Sequence, residues 1–516
     1  MTTDAAQALR HRVVLVYPSI SGVALHKPDF DALREHVVSG GSLLAFDLEG
    51  GGLDDVFGVA GAPIPDESDR MIWSDPSGEG GEHDLRISRH GTEARIGAVA
   101  YQPTKASIVA RFDDGRAALT CLNTRGRACA LGVDVGALTA RSMNGREEAV
   151  ARTYVNGYEP SVDNLYAWIS KFYVEGEPMP WLIDTAPAGK QVSILLTHDV
   201  DFTSAMKSAA DYAAALKRVG ANATFFIQTK YVRDYNDDVF FNPSTLPFVK
   251  SILGAGMEVG SHSVAHSNAM KQFPMGDGLE SYPSYQPFVQ NRTVTINGTI
   301  SGEVRVSRYL LTTLTGATVA SFRAGYLSNP FGLPQALAAS GYRYDSSITA
   351  NSCLTHLPFQ LTRDRADRSL EPVYEFPVTI EDEAKPALVS RLASANAVID
   401  HISRSHGLAV ILVHPDDTTR KLEFEISIAR RWRGRAWLTS LRNFGDWWAA
   451  RDQAEVDVVS TPSGWRLDVR SAAPLHDLVI KMPKLPEGAK TGRADMAVGD
   501  RQVTLRTDAG LASSAL

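Results

Sequence analysis

The chain has 516 residues, 44% hydrophobic and 22% charged, the balance of a globular protein long enough for two or three domains. Its 52 basic and 59 acidic side chains leave a formal charge of −7, which gives no global reason to expect nucleic acid as a partner. Three cysteines, Cys121, Cys129 and Cys353, are too few for a disulfide framework and lack zinc-knuckle spacing. Buried thiols are the expectation, with a Cys121–Cys129 bridge left open. No apolar run approaches transmembrane length, and "MTTDAAQALRHRVVLVYP" has no apolar h-region, so no signal peptide is read.

Taken in chain order, Val13–Tyr17 reads as a strand, Phe30–Val38 as a helix stopped by Gly40 and Gly41, and Leu43–Asp47 as a second strand. The Gly50–Gly52 run reads as a loop, because no P-loop lysine follows it. The runs "IGAVAYQP", "SIVARFDDGRAALTCLN" and "ACALGVDVG" are β-rich. Residues 1–165 are therefore expected to form an α/β accessory domain. Its pattern resembles the amidotransferase-like domains appended to some bacterial enzymes, without a nucleophile motif. Residues 166–189 read as a linker, since "GEPMPWLIDTAPAGK" holds three prolines and two glycines.

Over 190–452 strand-like runs recur at Val192–Leu196, Ala223–Ile227, Met257–Gly260, Val319–Phe322, Tyr342–Tyr344, Tyr374–Val378 and Ala409–Val413. Helix-like segments fall between most of them: Ala205–Arg218, Leu246–Leu253, Glu303–Leu314, Leu333–Ala339 and Leu388–Ser405. Such alternation predicts parallel βαβ units, and seven strands suit a distorted seven-stranded (β/α) barrel. An open doubly wound sheet is the alternative. Residues 268–300 interrupt the rhythm as an insertion, with a hairpin turn expected at Asn297-Gly298. Its aromatics, Phe273, Tyr282, Tyr285 and Phe288, can stack on ring-shaped ligands or simply pack the loop onto the barrel. Residues 453–516 read as a small β domain, ending in "AGLASSAL" as a frayed tail.

The residues with chemistry gather at the C-terminal ends of the expected strands, where barrel active sites form. "LLTHDVDF" ends in Asp199 and Asp201, "SHSVAH" carries His262 and His266, "FRAGY" carries Arg323, "YDSS" Asp345 and "ILVHP" His414. If a helical turn begins near His262, both imidazoles project from one face. Two imidazoles and one carboxylate leave an open position on a zinc-like cation. In an extended Asp-x-Asp both side chains leave the same side of the strand. Asp201 can then bind the cation while Asp199 stays within reach of water, takes its proton and is held ionised by Arg323. His414 can protonate the leaving group from the opposite rim. For Asp345 a strand-end cap is an equal reading.

These residues resemble the polysaccharide deacetylases of the NodB-homology type, carbohydrate esterase family 4, over residues 190–450. "THDVD" is similar to the first motif in the variant with one residue between base and ligand, and "HSVAH" to the His-Ser/Thr-x-x-His zinc motif. "RAGY" resembles Arg-x-Pro-Tyr with glycine in place of proline, and "LVHP" the last motif. The resemblance implies Asp199 as base, Arg323 as its orienting partner, His414 as acid, and the backbone N–H of Tyr326 as an oxyanion donor. Asp201, His262 and His266 would hold a divalent metal, most simply Zn²⁺, with Co²⁺ or Ni²⁺ also suited. Leu412 would line an acetyl pocket, and Tyr282, Tyr285 and Asp345 are the further substrate-binding candidates. No tryptophan follows Asp345; Trp447 and Trp448 read as the apolar face of a late helix.

The implied activity is removal of N-acetyl groups from an amino-sugar polysaccharide or oligosaccharide, with an extracytoplasmic or cell-surface location. Opening of a small cyclic amide at the same metal site is the second reading. An inactive carbohydrate-binding or scaffold protein is the third.

Overall fold

The computed structural model describes residues 2–23, 25–49, 52–75, 85–86, 97–144, 161–239, 241–366, 369–461 and 464–484, together with strands between 494 and 515. Most of the Gly50–Gly52 run lies outside them. The N-terminal strands form one mixed sheet in the order Val13–Val16, Ser42–Ala45, Arg127–Leu131, Ala117–Asn123, Ser107–Phe112, Arg70–Trp73, Leu85–Arg86. The helix Lys27–Val38 joins the first two, which run parallel. Cys121 and Cys129 stand directly opposite one another in an antiparallel pair and are joined as a disulfide, with Cα atoms 4.1 Å apart. The expectation of buried thiols is thereby corrected for this pair, because cross-strand register brings the two together; Cys353 remains a buried thiol.

The stretch read as a linker is largely ordered. Ser161–Gly176 is a helix, because Leu165, Trp168 and Phe172 recur at helical spacing and pack into the N-terminal core. Near its start Asp163 accepts hydrogen bonds from the Thr355 hydroxyl (2.5 Å) and the His356 N–H (2.8 Å), tying it to the segment that precedes the strand Phe359–Thr362. Downstream, Leu182–Ile183 pairs with Leu478–Met482 of the C-terminal sheet. That sheet is antiparallel and includes Gly510–Ala515, so the expected frayed tail is a paired edge strand instead.

The central sheet holds the site. Its parallel strands are β1 (Val192–Val200), β2 (Ala223–Ile227), β3 (Glu258–Ser261), β4 (Ser321–Phe322), β5 (Tyr344–Asp345), β6 (Leu370–Glu375) and β7 (Leu408–Val413), adjacent in the order β6-β5-β4-β3-β2-β1-β7. Ile380–Glu381, just beyond β6, pairs with β7. Residues 370–381 therefore touch both ends of a curled sheet. Two further strands were not expected: Phe359–Thr362, antiparallel to β6, and Ala436–Leu438, beside β1. All nine residues of β1 are buried, as a parallel strand covered on both faces requires. Ile194 and Leu196 face the helices, and Leu195 packs inside the curl with Phe226, Val410 and Leu412.

Helices α1 (Thr203–Arg218), α2 (Leu246–Gly254), α3 (Ile300–Thr315), α4 (Leu333–Ala339), α5 (Leu392–Arg404), α6 (Arg420–Trp432) and α7 (Leu441–Asp452) lie between or after the strands. Trp447 and Trp448 are buried on α7, as expected. The hairpin of the insertion pairs Phe288–Asn291 with Val294–Ile296. Its turn is at Arg292-Thr293, where the Asn291 side chain accepts from Thr293 N and Val294 N. Asn297, with φ 58°, instead turns the chain into the N-cap Thr299 of α3, which corrects the expected hairpin at Asn297-Gly298. Among the described residues no helix is long and apolar enough to cross a membrane.

Candidate active site

Asp199 lies at the end of β1 and Asp201 just beyond it. Thr197 and Asp199 share a face of the strand, and both accept from Arg323 Nη1 at 2.9 Å. Arg323 follows β4 and is fully buried. Its Nε donates to Ser346 O (2.8 Å), its Nη2 to Ser346 Oγ (2.7 Å), and its guanidinium lies 4.5 Å from the centre of the Phe226 ring. These contacts hold the guanidinium in one orientation and fix the rotamer of Asp199.

Beneath Arg323, Asp345 and Glu375 end β5 and β6 side by side. Burial pushes Asp345 up to about 6 and Glu375 well above the usual carboxylate range. Asp345 Oδ1 accepts from Ser346 N and Ser347 Oγ, and Glu375 Oε1 from Ile348 N. Their other oxygens have no protein donor, so one shared proton between them satisfies both. Asp345 is thus a buried strand-end cap.

Asp201, His262 and His266 offer ligand atoms that all lie within 4.8 Å of one another. His262 Nδ1 lies 2.8 Å from Arg323 O and donates to it, which leaves Nε2 as a lone pair. That lone pair faces Asp201 Oδ1 at 3.1 Å, and Oδ1 is buried with no donor. His266 Nε2 lies 3.5 Å from Asp201 Oδ2. Two acceptors facing each other in a buried pocket call for a cation or a proton between them, so the donor set fits a divalent metal. Burial pushes His266 down to about 4, which keeps it neutral and able to ligate. For His262 burial acts in the same direction but is outweighed by the Asp199 and Asp201 carboxylates, which raise it.

The helical turn expected at His262 is absent. Residues 262–266 form a loop, with Ser263 at φ 64° and His266 at φ 50°. The two imidazoles converge, 4.9 Å between ring centres, because two left-handed residues fold the segment back.

Across the mouth, His414 follows β7. Its Nε2 is 3.3 Å from Asp201 Oδ2 and its Nδ1 is 2.8 Å from Asp382 Oδ1. Asp382, whose side chain is fully buried, also accepts from His414 N (2.9 Å) and pairs with Lys421 Nζ (2.6 Å). Burial would raise Asp382, but His414 and Lys421 hold it down to about 2. His414 is correspondingly raised well above the imidazole range, burial being outweighed by Asp201 and Asp382. Asp382 is the functional candidate that sequence reasoning missed. It lies in "IEDE", with no spacing motif, 32 residues before its partner.

Tyr326 has φ 58° and ψ 18°, and its ring lies 4.8 Å from that of His266. A Cβ on Gly325 would fall 2.6 Å from His266 Cδ2, so glycine is what lets the imidazole lie over this turn. Leu412 is buried within the curl. Tyr282 is 47% exposed and packs edge-on against Tyr231. Tyr285 is buried, with its hydroxyl 2.8 Å from Glu303 Oε1. That contact anchors the insertion to α3.

Residues 187–344 match the family model for polysaccharide deacetylase. Among solved structures, the chain is similar to a Mycobacterium smegmatis protein assigned to the polysaccharide deacetylases, at 15% identity over 51% of this chain and 93% of that one, TM-score 0.38. It is also similar to a family 4 carbohydrate esterase from Streptomyces lividans in complex with acetate, at 19% identity over 47% and 88%, TM-score 0.29. A Bacillus anthracis pseudoenzyme of carbohydrate esterase family 4 matches at 16% identity over 50% and 66%, TM-score 0.29. No curated protein matches the chain.

Proposed function

We propose that this chain, a polysaccharide deacetylase by family over residues 187–344, is a metal-dependent hydrolase that removes N-acetyl groups from an amino-sugar polysaccharide. The observation that carries the reading is the convergence of three metal-type donors between a pinned carboxylate and a pinned imidazole. Asp201, His262 and His266 would hold the cation, most simply Zn²⁺, with Co²⁺ or Ni²⁺ acceptable to the same nitrogen and oxygen donors. When bound, the cation supplies Lewis acidity toward the acetyl carbonyl and the attacking water.

The protein's own residues do the rest. Asp199, oriented by Arg323, accepts the proton of the attacking water. The backbone N–H of Tyr326 stabilises the charge that develops on the acetyl oxygen. His414, kept protonated by Asp382, delivers a proton to the departing nitrogen, so acetate and a free amine leave. Leu412 contributes apolar lining for the methyl group. Tyr282, on the exposed side of the insertion, offers a ring for a sugar unit further along the polymer.

A distorted seven-stranded barrel over 190–452 is supported by the pairing of residues 370–381 with both β5 and β7. Residues 1–165 serve as a non-catalytic accessory domain and 453–516 as a small β module. The Cys121–Cys129 disulfide supports an extracytoplasmic setting, because such bonds persist in oxidising compartments.

The test is acetate release from N-acetylated amino-sugar oligomers and polymers after chelation and zinc titration. Chelator-sensitive, zinc-restored release is expected. A chain that binds one zinc per molecule yet frees no acetate from any acetylated amino sugar would overturn the deacetylase reading, and a cyclic-amide screen would follow.

A further inference from the structure

The loop that carries both imidazoles has no internal scaffold, since its two left-handed residues preclude a helix. Its shape is imposed from outside, carbonyl by carbonyl. Ser263 O accepts from Thr229 N (3.1 Å) and Oγ1 (3.2 Å), and Val264 O from Gln228 Nε2 (3.4 Å). His266 O accepts from Asn236 Nδ2 at 2.7 Å. Lys230 Nζ, buried in an ion pair with Asp234 (2.7 Å), is 3.5 Å from Ala265 O.

The N–H groups of the same loop converge on one carboxylate. Val264 N and Ala265 N donate to Glu303 Oε2 at 2.8 and 2.9 Å. Glu303 lies in the first turn of α3, far from the motif in sequence, and is fully buried. Its other oxygen accepts from the hydroxyl of Tyr285, which the insertion delivers. Burial raises the Glu303 carboxyl above its ordinary value, against the two loop N–H groups, the Tyr285 hydroxyl and the charge of Lys230, which act the other way; in either protonation state Oε2 is the acceptor that both loop N–H groups share.

We infer that Glu303 is a positioning residue for the metal centre: it clamps the loop between His262 and His266 so that both imidazoles face Asp201, and Tyr285 of the insertion braces it. This rests on the metal-site reading above. Strained φ values at Ser263 and His266 persist only while surrounding contacts over-determine them, and Glu303 satisfies the two amide groups lying between those residues. Without it the loop relaxes and the two nitrogens part, which lowers affinity for a cation before it lowers anything else at the site.

The experiment measures the zinc dissociation constant of the full chain against a chromophoric competitor, with the melting temperature of the metal-free protein recorded in parallel. Glu303→Leu, which keeps volume and removes the acceptor, is expected to weaken zinc binding ~10–100-fold, the range typical of lost outer-sphere support. Glu303→Gln should stay within about threefold of the parent, because an amide oxygen still accepts both N–H groups. Asn236→Ala, at a half-buried position, removes the donor to His266 O, tests the same scaffold and should weaken zinc about tenfold. Parent-like zinc affinity in both Glu303→Leu and Asn236→Ala would overturn the inference, whatever their melting temperatures. If Glu303→Leu does not fold, Asn236→Ala decides alone. A parent chain that binds no zinc would instead remove the metal-site reading on which the inference stands.

Discussion

Replacing Asp382 by asparagine isolates the part of the site that no sequence motif announced. The substitution keeps shape and removes the charge that faces His414 Nδ1 at 2.8 Å and Lys421 Nζ at 2.6 Å. A buried carboxyl held near 2 rather than its ordinary 3.8 contributes about 2 kcal/mol to folding at neutral pH. The sign follows from the depressed value. That contribution is complete above about 3.8 and is lost as pH falls toward 2, so parent and variant converge in stability across that window. The kinetic effect is separate. Asp201 and Asp382 together raise His414, so loss of the Asp382 charge lowers it, and less of it is protonated at alkaline pH. We expect kcat/KM to drop ~10²–10⁴-fold, the range for loss of a positioned general acid, and its alkaline limb to move to lower pH. The assay is a pH–rate profile on a short acetylated substrate with zinc saturating, beside urea unfolding at pH 7 and at pH 3. Near-parent turnover with an unmoved alkaline limb would refute the assignment of His414 as an acid held by Asp382.

Two further outcomes are expected. Asp199→Asn should keep zinc affinity and lose turnover, whereas His266→Ala should lose both; a metal-saturated Asn variant with near-parent rates would remove Asp199 as the base. Denatured but unreduced protein should react with one equivalent of thiol reagent, at Cys353, and three equivalents would contradict the Cys121–Cys129 bond.

Strand existence was legible where apolar runs were long. Ala223–Ile227 and Leu333–Ala339 coincide with the expected strand and helix. Short edge elements such as Ala436–Leu438 were not, because two or three residues carry no period. The insertion misled at its turn, where the Asn-Gly pair leads the chain into a helix rather than a hairpin, while the buried ring of Tyr285 fits the packing alternative its sequence allowed. The His-x-x-x-His spacing suggested a helical turn, whereas the chain reaches the same convergence through two left-handed residues that spacing cannot reveal.

The sequence by itself determined which side chains could do chemistry and that they sit at strand ends, since Asp-x-Asp, His-x-x-x-His and the terminal histidine are local patterns. It also determined the alternation that builds a curled parallel sheet. Only the tertiary structure decided what holds those side chains in place. Asp382 reaches His414 from across 32 residues, Arg323 reaches Asp199 from across 124, and Glu303 reaches the imidazole loop from across 38 and 39. Charge pairing and burial act through space, and no spacing along the chain records which distant carboxylate will arrive beside a given donor once the sheet has curled.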